Sequence, residues 1–211
     1  MRAVFAEAFA TFSLVFIGAG AAAANVGTVG VALAHGLVLM SMIYAVGYLS
    51  GAHCNPAVTL AFLVSRSISI GKAAAYIAAQ LIGATIAGLL LKYIYLTSPG
   101  SLGTPMLAAG LSFWGGVIIE AILTLFLVFV IFGAIDRRAS PGMAGIAIGA
   151  VLSFDILMGG SLTGAAMNPA RAFGPALASG LWQNQFVYWL GPIVGGLIAA
   201  VFHNLLFHKK K

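Results

Sequence analysis

A chain of 211 residues that is 62% hydrophobic and 7% charged, with mean hydropathy +1.08, is not a soluble domain, which carries about a quarter charged residues. Its length allows about six apolar spans of roughly 20 residues each, plus two shorter pieces. The net charge of +6 is no nucleic-acid signature, because the basic residues are scattered at segment ends apart from the tail Lys209-Lys210-Lys211. The composition therefore points to an all-α membrane protein with the lipid bilayer as its surroundings and no nucleic-acid partner.

In chain order, the first span is expected at about 3–22 and contains Glu7. It starts directly after Arg2 and reads as a span, not as a cleaved signal peptide. A short loop at Asn25-Val26-Gly27-Thr28 leads to a second span at about 30–49 with His35 in it. Next comes Asn55-Pro56-Ala57, opening a short helix of about 56–64 that ends before Arg66. The third span is expected at about 73–95, and the turn-forming stretch Thr97 to Pro105 reads as an exposed loop. A fourth span, about 113–135, carries Glu120, and Asp136 to Gly142 forms a short loop. The fifth, about 143–161, carries Asp155. A second triplet, Asn168-Pro169-Ala170, opens a helix of about 169–178, and the last span is expected at about 186–207. The single cysteine, Cys54, leaves no partner for an intrachain disulfide.

The two halves repeat. One shift of 113 residues carries Asn55 onto Asn168, Glu7 onto Glu120 and Thr11 onto Thr124, and Gly36, Gly51 and Gly83 onto Gly149, Gly164 and Gly196. The chain thus reads as a single channel domain, 1–211, with one repeat at about 1–95 and another at about 113–207. Each repeat holds three spans, an odd number, so the second enters the membrane from the opposite side. That is an inverted-topology repeat, with its site expected at the midplane between the halves. Arg2, Arg66, Lys72, Arg137, Arg138 and the terminal lysines share one side in this scheme, which places both termini in the cytoplasm. The cell membrane is the expected location.

Proline is favoured in the first turn of a helix and asparagine just before it is a good N-cap, so each triplet marks a helix start. A half-helix of eleven residues spans only about 16 Å, half a bilayer. The two half-helices enter from opposite faces and meet at their Asn-Pro ends, each aiming a positive dipole end of roughly half a charge at the middle. The loops before them are non-helical backbone at membrane depth, tolerated only where buried in protein or lining a water-filled cavity.

Over essentially its whole length the sequence resembles the aquaporin (major intrinsic protein) family. The motifs that carry the likeness are Ser50-Gly51-Ala52-His53-Cys54-Asn55-Pro56-Ala57-Val58-Thr59 and Thr163-Gly164-Ala165-Ala166-Met167-Asn168-Pro169-Ala170-Arg171. The resemblance implies six transmembrane helices plus two re-entrant half-helices, and a passive channel for water and small neutral solutes. Asn55 and Asn168 would cap their helices and present a side-chain N–H to the permeant, while the paired dipoles disfavour cations. Carbonyls of Gly51, Ala52, His53 and Cys54, and of Gly164, Ala165 and Ala166, would line the path. Arg171 would sit at an outer constriction completed by His35 (20 before Asn55), Ile156 (12 before Asn168) and Ala165 (three before Asn168).

This His/Ile/Ala/Arg set is similar to tonoplast-type aquaporins, some of which pass ammonia, urea or hydrogen peroxide. The ammonia-passing ones carry a histidine in the third loop, and Thr97 to Pro105 has none. Ala172 after Arg171, where glycerol facilitators have Asp, fits the water-channel branch. Cys54 is not the family's mercury-sensitive cysteine. Glu7 and Glu120 would accept hydrogen bonds from the re-entrant loops. Asp155 has Met42 as its partner position and is left to bond within the bundle or across a subunit contact. The resemblance also implies a homotetramer. The alternatives are a glycerol or small-solute facilitator and an ion-coupled transporter using Glu7 and Glu120. No metal-ligand spacing, cofactor motif or arrangement suited to an enzyme is present in the sequence.

Overall fold

The structure, a computed structural model, describes residues 1–97 and 100–207. Ser98 and Pro99 of the third loop and the basic tail lie outside the described residues. Within them the chain forms eight helices and no strand: α1 (Arg2–Ala23), α2 (Gly27–Ser50), α3 (Pro56–Val64), α4 (Ile70–Ile94), α5 (Phe113–Ala134), α6 (Ala144–Gly159), α7 (Pro169–Ser179) and α8 (Val187–Phe207). Five of these, α1, α2, α4, α5 and α8, are long and apolar enough to cross a membrane.

The fifth expected span, about 143–161, is shorter than its predicted range. Helix α6 has 16 residues, about 24 Å at the helical rise. It ends at the pair Gly159-Gly160, which is poor helix-forming sequence. The chain still winds on for another turn. The Leu162 and Thr163 amides both donate to the Gly159 carbonyl, at 3.0 and 2.9 Å, and the Gly164 amide donates to Gly160 at 3.1 Å.

The outside of the bundle is apolar and the inside is where the polar groups are. Phe5, Ile82, Ile118 and Phe126 are exposed, whereas Glu7, Gln80, Glu120 and Arg171 are buried. That inversion suits a lipid solvent, in which polar groups must find partners inside the protein. The shift of 113 residues also organises the packing. It carries α1–α4 onto α5–α8, and the contact of α1 with α4 recurs as α5 with α8, α1 with α2 as α5 with α6, and α4 with α7 as α8 with α3. Helices α2 and α6 pack on each other across the middle.

Small residues set how close the helices come. A Cβ on Gly83 of α4 would run into the Ala8 carbonyl of α1, and one on Gly195 of α8 into the Ala121 carbonyl of α5. Gly36 and Gly149 meet in the same way where α2 crosses α6. Lipid tails are as apolar as the side chains, so such close backbone approach supplies much of the association.

The loop after α5 is tied down from two directions. The Asp136 carboxylate takes a bidentate pair of bonds from Arg138, both at 2.8 Å, and the Tyr44 hydroxyl donates to the Gly142 carbonyl at 2.8 Å. Arg138 holds the Asp136 carboxyl well below the usual carboxylate range. The Arg138 side chain is 66% exposed, so the pair orders the loop and adds little stability.

Replacing Gly195 by Val should overpack the α5–α8 contact and lower the unfolding temperature in detergent, at a cost of about 1–3 kcal/mol or more. Gly133→Ala, at a position where a Cβ meets nothing within 4 Å, should leave it unchanged or slightly raised. Equal behaviour of the two variants in a thermal melt would contradict this packing account.

Candidate functional site

The two triplets meet inside the bundle. Asn55 and Asn168 both have extended backbone and cap their helices through the side-chain oxygen. Asn55 Oδ1 accepts the Ala57 amide at 2.8 Å, and Asn168 Oδ1 accepts those of Ala170 and Arg171 at 3.0 and 3.2 Å. Pro56 and Pro169 occupy the first helical position, where an N–H is not needed. Ala57 and Ala170 are buried beside them.

Each asparagine also bonds across to the other half. Asn55 Nδ2 donates to the Met167 carbonyl and Asn168 Nδ2 to the Cys54 carbonyl, both at 2.8 Å. A side-chain amide has two N–H groups, so each keeps one beyond this cross-bond. Cys54 itself is buried, and its carbonyl serves the opposite asparagine.

The loops that feed the triplets are strained in the same places. Gly51, Ala52 and Cys54 have positive φ, as do Gly164, Ala165 and Met167. Non-glycine residues held there cost of order 1–3 kcal/mol each and persist only when their surroundings fix them. Two buried glutamates supply that fixing. Glu7 Oε1 accepts Ser50 Oγ at 2.7 Å and the His53 amide at 2.8 Å, and its Oε2 accepts the Cys54 amide at 2.8 Å. Glu120 Oε1 accepts Thr163 Oγ1 at 2.6 Å and the Ala166 amide at 2.9 Å, and its Oε2 accepts the Met167 amide at 2.7 Å. Tyr76 and Tyr188 add a bond from the side, donating to the carbonyls of Ser50 and Thr163 at 3.0 and 2.8 Å.

Two cavities lie along this seam and share Arg171. The inner one, of about 110 Å³, reaches from His35 and Arg171 past Asn168, Asn55 and His53 to Ile135 and Ala144. Its volume admits a handful of waters. The outer one opens from Arg171, Ile156 and Gly164 toward Asn25, Thr28 and Ser101. Gly51, Ala52 and Ala166 also line the inner cavity. Ala165 lines neither; it is buried where a Cβ on Gly159 would touch it.

Arg171 is 3% exposed and held in a fixed pose. Its Nη1 donates to the Gly103 carbonyl at 2.7 Å and its Nε donates to His35 Nε2 at 3.3 Å. His35 Nδ1 lies 2.9 Å from the Val31 carbonyl, which can only accept, so Nδ1 carries the proton and Nε2 is the acceptor. The imidazole is thus neutral in this arrangement. His53 is fixed by similar logic. Thr59 Oγ1 donates to the Asn55 carbonyl at 3.0 Å and takes bonds from Gln80 Nε2 at 2.9 Å and His53 Nδ1 at 3.1 Å. His53 Nδ1 is therefore the donor.

The third loop departs from its expected exposure. Leu102, Gly103, Thr104 and Pro105 are buried, and the loop dips in to give Arg171 its carbonyl partner. Turn-forming residues signal a reversal of the chain but not its depth. Gln80 is another residue whose task was not anticipated: its Nε2 donates to Glu7 Oε2 at 2.8 Å as well as to Thr59. A glutamine inside an apolar span was the available signal.

The chain is similar to known proteins over nearly its whole length. The family model described as major intrinsic protein matches residues 1–203. Aquaporin TIP4-4 of Zea mays is 42% identical over 220 residues, covering 98% of this chain and 87% of the relative. The lens fiber major intrinsic protein of Mus musculus is 44% identical over 220 residues, covering 100% of this chain and 83% of the relative. Among solved structures, the aquaglyceroporin from Plasmodium falciparum is similar with a TM-score of 0.83 at 25% identity, over 98% of this chain and 96% of that one.

Removing the Glu120 carboxylate with Glu120→Leu leaves three buried donors without an acceptor, at about 1–3 kcal/mol each. The variant should give little monodisperse protein on size-exclusion chromatography. Glu120→Gln keeps one acceptor oxygen and should be recovered in better yield; a Leu variant as well behaved as wild type would count against the glutamate's holding role.

Proposed function

The chain belongs to the major intrinsic protein family, and from that premise we propose that it is a passive transmembrane channel for water and small neutral solutes, conducted along the seam between the two Asn-Pro-Ala ends. Members of this family are channels, not enzymes. The observation that carries the reading is the state of the two asparagines. Each spends its oxygen on its own helix and one N–H on the opposite loop, which leaves one N–H for a permeating oxygen at the dipole ends of α3 and α7. A water that accepts two bonds there turns both its hydrogens away, and the file of proton donors is broken at that point.

In this reading Arg171, His35 and Ile156 form the outer filter, with Ala165 behind it. The guanidinium keeps N–H groups beyond those given to Gly103 and His35, and these receive the permeant while its charge repels cations. Ile156 supplies an apolar wall that favours small neutral molecules over hydrated ions. The carbonyls of Gly51, Ala52, His53, Gly164 and Ala166 form the polar side of the path. An ion-coupled transporter is disfavoured because Glu7 and Glu120 are occupied by loop donors. The placement of basic residues supports cytoplasmic termini, and the apolar exterior is suited to assembly as a homotetramer in the cell membrane.

Proteoliposomes should shrink under an osmotic step several-fold faster than empty vesicles when followed by stopped-flow light scattering, with urea, ammonia, hydrogen peroxide and glycerol compared side by side. Rates equal to those of empty vesicles would end the channel reading. Arg171→Val removes charge-assisted bonds worth about 1.5–3 kcal/mol and should raise glycerol passage by roughly tenfold, the equivalent of about 1.4 kcal/mol. An unchanged solute profile would remove Arg171 from the filter.

A further inference from the structure

The two re-entrant loops are gripped alike, yet only the first has a side-chain relay beside its glutamate. Its members are Gln80 of α4, Thr59 of α3 and His53 of the loop. Gln80 Nε2 donates to Glu7 Oε2 at 2.8 Å and to Thr59 Oγ1 at 2.9 Å. An ionised carboxylate only accepts, so the amide turns Nε2 toward it, and the oxygen left over, Gln80 Oε1, is buried without a partner. Thr59 Oγ1 gives its proton to the Asn55 carbonyl at 3.0 Å. A hydroxyl has one donor and two lone pairs, and here Gln80 Nε2 and, at 3.1 Å, His53 Nδ1 fill both. The second half works as an internal control. Glu120 holds Thr163, Ala166 and Met167 by the same three bonds with which Glu7 holds Ser50, His53 and Cys54. The shift of 113 residues nonetheless puts Ala166 in place of the His53 side chain and Ala172 in place of Thr59. Gln80 falls on Ile193, or on Pro192 when Tyr188 is matched to Tyr76. None of these side chains donates or accepts. A loop of this kind is therefore held without the relay, and what the relay adds concerns the group that the second loop lacks, the His53 imidazole.

That ring is held on three sides. The Phe62 ring lies against it with centroids 4.5 Å apart, Tyr76 meets it edge-on at 5.4 Å, and Nδ1 is spent on Thr59. Among the described residues nothing bonds Nε2, and unlike Gln80 Oε1 it is not sealed from open space. A Cβ on Gly51 would come within 3.1 Å of Nε2, and Gly51 and His53 both line the inner cavity. A neutral imidazole with its proton on Nδ1 has a bare lone pair at Nε2. The next acceptor along the loop, the Cys54 carbonyl, is already taken by Asn168.

We propose that Gln80 and Thr59 are positioning residues that lock the His53 proton on Nδ1 and so present Nε2 to the inner cavity as a fixed acceptor for permeants carrying N–H or O–H groups. A water bonded through its oxygen at the two asparagines sends a hydrogen inward, and Nε2 is the side-chain group placed to receive it. Ala166 gives the outer half no such acceptor. The path then offers side-chain donors at Arg171 and the asparagines, and a side-chain acceptor on the inner side of them. The permeation role of Nε2 rests on the channel reading; the locked tautomer does not.

The test uses the full chain in proteoliposomes at neutral pH, as wild type, Thr59→Ser, Thr59→Val, Gln80→Leu and His53→Phe. Solid-state NMR on protein with isotope-labelled histidine reads the tautomer, and the His53 signals are those lost in His53→Phe. Wild type and Thr59→Ser should show a protonated Nδ1 and a bare Nε2. Thr59→Val leaves Nδ1 without an acceptor and should move the proton to Nε2. Gln80→Leu frees a lone pair on Thr59, whose hydroxyl can then turn and donate to Nδ1, so both tautomers should appear. By stopped-flow light scattering, water permeability should fall about two- to tenfold in Thr59→Val and in His53→Phe, the effect of one lost hydrogen bond. Thr59→Ser should keep the wild-type rate. The proposal is overturned if wild-type His53 carries a proton on Nε2, if Thr59→Val and Gln80→Leu leave the tautomer unchanged, or if His53→Phe conducts water as fast as wild type. Should Thr59→Val fail to fold, the wild-type tautomer, Gln80→Leu and His53→Phe decide. If wild-type vesicles shrink no faster than empty ones, the channel reading fails, and the tautomers alone decide whether Thr59 and Gln80 lock the ring.

Discussion

The structure depends on keeping broken backbone satisfied inside an apolar bundle. Two stretches of chain leave helical geometry at the middle of the protein, and each exposes amides and carbonyls that lipid cannot serve. The solution is a closed circuit. Glu7 holds the Cys54 amide, and the Cys54 carbonyl holds Asn168; Glu120 holds the Met167 amide, and the Met167 carbonyl holds Asn55. Each residue whose amide one glutamate grips is the residue whose carbonyl the opposite asparagine bonds. Cys54 and Met167 are thereby each held on both sides of the Cα, which fixes their backbone angles. The positive-φ residues Ala52, Cys54, Ala165 and Met167 are the conformational expense of this arrangement, and the circuit is what over-determines them.

The same circuit positions Arg171. The Asn168 oxygen that caps α7 also accepts the Arg171 amide, so the cap fixes where the guanidinium begins. Its far end is fixed by Gly103 from a loop distant in sequence and by His35 from α2. Three separate elements thus agree on one arginine pose. The guanidinium is rigid because of its neighbours and not because of its own side chain, which is long and otherwise free to rotate.

What could be read from the sequence follows from how local each cause is. Apolar runs give the spans to within a few residues, because burial in lipid is a property of the run itself. Pro56 and Pro169 give the starts of α3 and α7, because proline at a first turn is a local preference. Glu7 and Glu120 were legible through the shift that equates them. The inward dip of Leu102 to Pro105 was not, since turn residues look alike whether they face water or a neighbouring arginine. The cross-bonds of the asparagines were hidden for the same reason: they join positions 112 and 114 residues apart. Helix α6 fell short of its expected span because a glycine pair at its end reads equally well as helix packing or helix termination.

The points where the halves differ say why a symmetric frame holds a buried histidine–arginine pair at one end only. The shift of 113 residues takes His35 to Ile148, Arg171 to Val58, Ile156 to Ile43 and Ala165 to Ala52. All four of these counterparts line the inner cavity. The inner half therefore contains the same ring of positions, occupied by apolar and small residues. A second His and Arg there would impose a second buried cation on the fold. With Ile148, Val58 and Ile43 there instead, the inner cavity has apolar walls at those positions. The repeated frame holds two broken loops head to head, and different residues at a few equivalent positions leave the buried histidine and arginine at one end of it.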